Sequence, residues 1–76
     1  MKRVAVIGAS GRMGTAVVEA VGACADMEVV ARLDAGDAIS RESLGGAEVA
    51  VEFTSPASSE ANVHALLDAG VDVVVG

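Results

Sequence analysis

Three glycines, Gly8, Gly11 and Gly14, recur at every third position directly after a short apolar run, Val4–Ile7. Residues of this type at this spacing do one kind of chemistry well, which is to hold an anion with backbone. The first glycine lets the chain turn sharply out of a strand, and the second has no Cβ to keep phosphates away. The third lets the following helix pack closely. That helix then presents unpaired N–H groups and a partial positive charge at its start. The spacing is G-x-x-G-x-x-G, with Ser10 where the commonest dinucleotide fingerprint has its middle glycine. A P-loop is excluded, because no Gly-Lys-Ser/Thr follows at the required place.

About twenty residues beyond Gly14, Asp34 closes a second apolar run. A carboxylate there accepts hydrogen bonds from both adenosine ribose hydroxyls and repels a 2′-phosphate, which favours NADH over NADPH. The same residue can instead cap the Asp-Ala-Gly-Asp turn that it opens. Arg12 is open between reaching a 2′-phosphate and standing solvated in the first helical turn.

The elements that must position these groups follow from periodicity. Val4–Ile7 fits a buried first strand, and a helix from about Arg12 to Ala23 places Met13, Val17, Val18 and Val21 inward, with Thr15 and Glu19 outward. Met27–Leu33 fits a second strand. Ala35–Gly46 is a loop with one short helical turn around Ser40–Leu44. Val49–Phe53 is a third strand. Ser58 or Ser59 caps a second helix that ends near Ala69 before Gly70. Its inner face is Val63, Leu66 and Leu67, and Glu60, His64 and Asp68 form the outer stripe. Val71–Val75 is a fourth strand. Alternation of this kind predicts an α/β fold of parallel strands joined by right-handed crossovers, with strand three beside strand one or beyond strand two.

Composition narrows the function. The chain has 76 residues with a net charge of −6, and is 53% hydrophobic with one Phe and no Tyr or Trp. The apolar content is mainly Val and Ala, suited to buried strands and closely packed helices. An acidic chain with no basic run has no electrostatic footprint for nucleic acid or an anionic membrane. The apolar run after Lys2 and Arg3 is too short for a signal peptide or membrane span. The single Cys24 cannot form an internal disulfide, which favours a reducing, cytoplasmic setting, and it reads as a small buried or semi-buried filler. His64 lies one helical turn from Glu60 and Asp68 and reads as part of a solvated face. No convergent ligand set suggests a metal site.

With these residues in hand, the chain resembles the bacterial dihydrodipicolinate reductases. Gly-Ala-Ser-Gly-Arg-Met-Gly (8–14) is similar to their glycine loop, and Val-Glu-Phe-Thr-Ser-Pro (51–56) to their Val-Asp-Phe-Thr-x-Pro segment. Asn62, Val73–Gly76 and Leu33–Asp37 match further segments in order. The resemblance implies a Rossmann-type sheet in strand order 2-1-3-4 with helices on both faces. Residues 1–76 would be the incomplete N-terminal dinucleotide-binding domain, with the substrate-binding domain absent. It implies NADH or NADPH as cofactor, a small-molecule substrate of the diaminopimelate route to lysine, and a homotetramer. Gly8, Ala9, Ser10, Gly11, Arg12 and Met13 would line the pyrophosphate and adenosine side, and Asp34 would hold the ribose. Phe53, Thr54 and Ser55 would border the nicotinamide half, and Gly76 would begin the turn above it. Ala35 stands where some members carry an Arg for the 2′-phosphate, which again favours NADH. No catalytic residue of the family falls in this chain, so the chain alone is expected to be inactive.

Two other classes share the front half. Another Rossmann oxidoreductase, such as an aspartate dehydrogenase or a sugar-type dehydrogenase, would lack the Arg-Met pair and Phe-Thr-Ser-Pro. A non-enzymatic nucleotide- or CoA-binding module would have no use for the acid at Asp34.

Overall fold

β1 (Lys2–Ile7) is the strand on which the other elements are assembled. Its β-branched and small side chains alternate across the sheet, Val4 and Val6 to one face and Ala5 and Ile7 to the other, and all four are buried. That is why the sequence there is continuously apolar. The structure, a computed structural model, describes residues 2–34, 37–54 and 56–75, excluding the side chains of Pro56 and Ala57. The remaining elements are α1 (Arg12–Gly22), β2 (Met27–Leu33), β3 (Val49–Glu52), α2 (Pro56–Asp68) and β4 (Asp72–Val75). The four strands are all parallel, in order β2-β1-β3-β4. This settles the position of β3 beside β1, and the arrangement is Rossmann-like.

The two faces have separate cores. α1 lays Val21, with Val17 and Val18 half-buried, onto Val4 and Val6. On the opposite face Leu66 of α2 packs into a cluster with Ala5, Ile7, Leu33 and Ala50. Leu44 completes that cluster at 1% exposure. It is carried by the short turn expected in the β2–β3 connection: Leu44 N–H donates to the Ser40 carbonyl at 3.0 Å, and Ser40 and Ser43 cap each other's N–H at 2.9 and 3.1 Å. A single helical turn with one buried leucine thus covers the face where a crossover helix would lie.

Several expected details are corrected. Met13 is 61% exposed, and it is Gly14, one residue on, that touches the turn below. Leu67 is 58% exposed, since of this face α2 buries Leu66, with Val63 half-buried. α2 starts at Pro56, whose missing N–H and fixed φ suit a first helical position, so Ser58 and Ser59 lie inside the first turn and do not cap it. β3 ends at Glu52, although Phe53 N–H still donates to the Ile7 carbonyl at 2.9 Å. Val71 is buried ahead of β4 rather than within it. α1 ends at Gly22 with Ala23 as its C-cap, and Cys24, in the turn that follows, is exposed. Glu60, His64 and Asp68 form the expected exposed face. Among the described residues no helix is long and apolar enough to cross a membrane.

Candidate functional site

From β1 the chain goes first to β2 on one side and later to β3 on the other, so a crevice opens where their C-terminal ends diverge. A cleft of about 480 Å³ lies there, lined by Gly8, Ser10, Gly11, Asp34, Phe53, Thr54 and Ser58. Six of the residues singled out from the sequence therefore meet in one hollow. Ala9 is half-buried beneath it against the Val4–Val6 core, and Arg12 and Met13 stand exposed on the first turn of α1. Ser55, Gly76 and Ala35 lie outside the described residues. Ser58, read from sequence as a cap, lines the cleft.

Gly8 makes the turn with φ +88°, and a Cβ there would sit 3.2 Å from the Phe53 carbonyl group. Gly14 is tighter still. A Cβ on it would lie 2.0 Å from Gly8 O and 2.8 Å from Ala9 Cα, so α1 rests directly on the glycine turn. Gly11, the extended N-cap of α1, has only Gly8 O within reach of a Cβ, at 3.5 Å. A side chain there would fill the cleft rather than collide with protein.

The backbone donors divide sharply. Gly8 and Ala9 N–H both donate to the Leu33 carbonyl, at 2.7 and 3.2 Å, and Gly11 N–H donates to Gly8 O at 3.2 Å. Ser10 N–H donates to Asp34 Oδ1. The first helical bond of α1 runs from Thr15 N–H to Gly11 O at 2.8 Å, and no side chain caps the helix. Among the described residues this leaves the amides of Arg12, Met13 and Gly14 without an acceptor. They are the orphan donors of a helix start, which an anion satisfies.

Asp34 stands at the end of β2, and its Oδ1 accepts from Ser10 N–H at 2.9 Å and from Ser10 Oγ at 2.8 Å. The Ser10 amide foremost, and then its hydroxyl, hold the Asp34 carboxyl below its ordinary value against a small opposing effect of burial. The side chain that caps the following turn is that of Asp37, whose Oδ2 accepts from Asp34 N–H at 2.8 Å. Asp34 itself reaches back across the glycine turn.

The floor of the cleft holds a residue that the sequence reading passed over. Glu52 is fully buried, the only buried charge among the described residues. Its Oε1 accepts from Thr54 N–H at 2.5 Å and from Thr54 Oγ1, and its Oε2 accepts from Ser59 Oγ. Asn62 Nδ2 donates to Thr54 Oγ1 at 3.0 Å. Burial is the largest single influence on the Glu52 carboxyl and pushes its pKa up. The hydrogen bonds from Ser59, Thr54 and Asn62 together outweigh it, so the group is held below its ordinary value.

Residues 2–76 match the family described as dihydrodipicolinate reductase, N-terminus. The chain belongs to that family. It is 55% identical over 74 residues to the 4-hydroxy-tetrahydrodipicolinate reductase of Beutenbergia cavernae, covering 97% of this chain and 30% of the relative. The enzyme of the same name from Bifidobacterium animalis subsp. lactis is 53% identical over 76 residues, all of this chain and 30% of the relative. That from Streptomyces coelicolor is 50% identical over 74 residues, 97% of this chain and 30% of the relative. The chain thus spans about a third of the length of these reductases.

Within the dihydrodipicolinate reductase segment Val51–Pro56, then, the glutamate that stands where the family's segment has aspartate is the anchor of the corner. A signal for it was present: one carboxylate inside an apolar run, followed within ten residues by Thr54, Ser59 and Asn62, all able to donate. The site fits a dinucleotide on its own terms. It offers three amides for a diphosphate, cleft space at Gly11 and an ionised carboxylate at the adjoining strand end.

Proposed function

We propose that this chain is the NAD(P)H-binding part of a 4-hydroxy-tetrahydrodipicolinate reductase acting in the diaminopimelate route to lysine. The observation that carries the reading is the juxtaposition of three acceptor-less amides at the start of α1 with the ionised Asp34 in the same cleft. In it the diphosphate lies over Arg12–Gly14, the adenosine ribose on the β2 side at Asp34, and the nicotinamide half on the β3 side at Phe53 and Thr54. Ser55 and Gly76 would extend that side. A bound reduced nicotinamide supplies a hydride, and the residues of this chain bind and orient it.

Asp34 makes NADH the preferred dinucleotide, since a 2′-phosphate would meet a carboxylate where the ribose hydroxyls find an acceptor. The proposal extends to a substrate pocket, a homotetramer and a cytoplasmic location, as the resemblance implies; the relatives themselves extend well beyond this segment. Separate calorimetric titrations with NADH, NADPH and CoA test the reading. NADH should bind best, and binding of CoA without NADH would overturn it. Asp34→Ala should weaken NADH by about tenfold and NADPH less, as expected for charge-assisted bonds to a ribose. Equal loss would remove the ribose assignment.

A further inference from the structure

Glu52 does not itself line the cleft, yet Thr54, which does, is tied to it. It is the last residue of β3 and fully buried beneath the cleft, and its two oxygens take bonds from two different elements. Oε1 holds the amide and hydroxyl of Thr54, a cleft residue just beyond the strand. Oε2 holds the hydroxyl of Ser59, in the first turn of α2 next to the cleft residue Ser58. Asn62, one turn further along α2, donates to Thr54 Oγ1 and closes the loop between the two elements. The Thr54 hydroxyl therefore gives its single proton to Glu52 and accepts from Asn62, so it has no proton left to give a ligand.

A buried carboxylate accepting these bonds fixes its donors more firmly than neutral acceptors would, because charge-assisted bonds are shorter and stronger. The β2 side is held by a separate carboxylate, Asp34, which accepts from the amide and hydroxyl of Ser10. The two halves of the cleft are thus anchored on different carboxylates. We infer that Glu52 is a positioning residue for the nicotinamide side of the cleft: it sets the place of Thr54 and the first turn of α2, and so the grip on one half of the dinucleotide only. This rests on the dinucleotide reading of the cleft proposed above.

The experiment compares two probes on the full-length protein by calorimetry, NADH for the whole cleft and ADP for the adenosine–diphosphate half. Glu52→Met keeps the length of the side chain but removes both acceptors. It should lower NADH affinity by about tenfold while ADP affinity stays within about twofold, the loss of a few bonds' worth of ordering on one side. Glu52→Gln should recover most of the NADH affinity, because its amide oxygen still accepts from Thr54 and the Ser59 hydroxyl can rotate to accept from its NH2 group. Parallel loss of NADH and ADP would make Glu52 a general structural residue and overturn the inference, as would unchanged NADH binding in Glu52→Met. Should Glu52→Met fail to fold by circular dichroism, Ser59→Ala decides in the same way. A selective NADH loss upholds the inference, and a parallel loss or none rejects it. If the unmodified protein binds ADP and NADH equally weakly or not at all, it is the dinucleotide reading that fails, which the variants cannot mimic.

Discussion

Two glycines in one helix should respond to alanine with opposite signs. In α1, Gly14 would place its new Cβ 2.0 Å from Gly8 O, and 2.8 Å from both Gly8 C and Ala9 Cα. These are backbone atoms, and the turn that carries them is pinned by the bonds of Gly8 and Ala9 N–H to Leu33 O. No side chain can swing aside. To reach tolerable contact, α1 and the turn must separate by about 1 Å, an overpacking strain costing about 2–4 kcal/mol even after the roughly 1 kcal/mol that Ala gains over Gly in a helix. Gly22 at the other end of α1 has nothing within 4 Å of its would-be Cβ and no positive φ. There Ala should stabilise by about 0.4–1 kcal/mol through the unfolded chain. For a domain of this size the two variants should separate by at least about 10 °C in Tm. Urea unfolding followed by circular dichroism measures both effects, and an NADH titration adds a second readout. Gly14→Ala displaces the free amides of α1 and should bind NADH about tenfold more weakly, whereas Gly22→Ala should bind as the parent does. A Gly14→Ala protein as stable as the parent, or a loss in Gly22→Ala equal to that in Gly14→Ala, would refute the close-approach argument.

Stability should also depend on pH in a defined direction. The Glu52 and Asp34 carboxyls are held below their ordinary values of 4.5 and 3.8, so the unfolded chain binds protons first as acid is added. Their contribution is complete above the unfolded values and is lost as pH falls through the folded ones. Urea midpoints should be flat from pH 7 to about 5 and drop below about 4.5. The drop should be shallower in Glu52→Gln, while Asp34, being exposed, should matter little. Adjacent leucines of α2 should diverge as well. Leu66→Ala empties a fully buried position and should cost about 2–5 kcal/mol, against about 0.5 kcal/mol for the exposed Leu67, both read from urea midpoints.

The strands were legible because β1 is buried on both faces and leaves no polar residue between Val4 and Ile7, and because glycine, Asp34 and the Thr-Ser-Pro stretch punctuate the runs that follow. The site was legible for the same reason, since in this architecture the cleft lies where strands end. Periodicity failed at the margins of the helices. It places Met13 and Leu67 on apolar faces, but whether a face is covered depends on how far the sheet extends beneath it, which no local pattern records. Leu44 failed in the other direction: its short helical turn was expected, but in a stretch rich in Gly, Ser and charge nothing marks it as the residue that plugs one face of the sheet. The strand order needed the family resemblance, because alternation alone allows β3 on either side.

The serine in the middle of the glycine turn illustrates how a departure from a motif becomes intelligible once donors are accounted for. In the commonest fingerprint that position is glycine so that backbone can approach the diphosphate. Here Ser10 turns its amide and its hydroxyl together onto Asp34 Oδ1, 2.9 and 2.8 Å away, and Gly8, Ala9 and Gly11 give their amides to carbonyls of the same corner. The loop is therefore occupied in holding itself and the acid, and in the proposed dinucleotide reading it is the next three amides, 12–14 at the helix start, that receive the anion. This explains why Gly14 tolerates no Cβ although it lies outside the cleft lining: it sets the height of those three amides above the turn. It also explains why the acid at the end of β2 is ionised despite lying in a chain with a net charge of −6. Two donors from Ser10 stabilise its charge locally, where the unfavourable field of other exposed carboxylates is screened by water and salt. A serine in place of the glycine thus ties the end of β2 to the glycine turn through a single residue, and in the proposed reading the grips on diphosphate and ribose share that backbone corner.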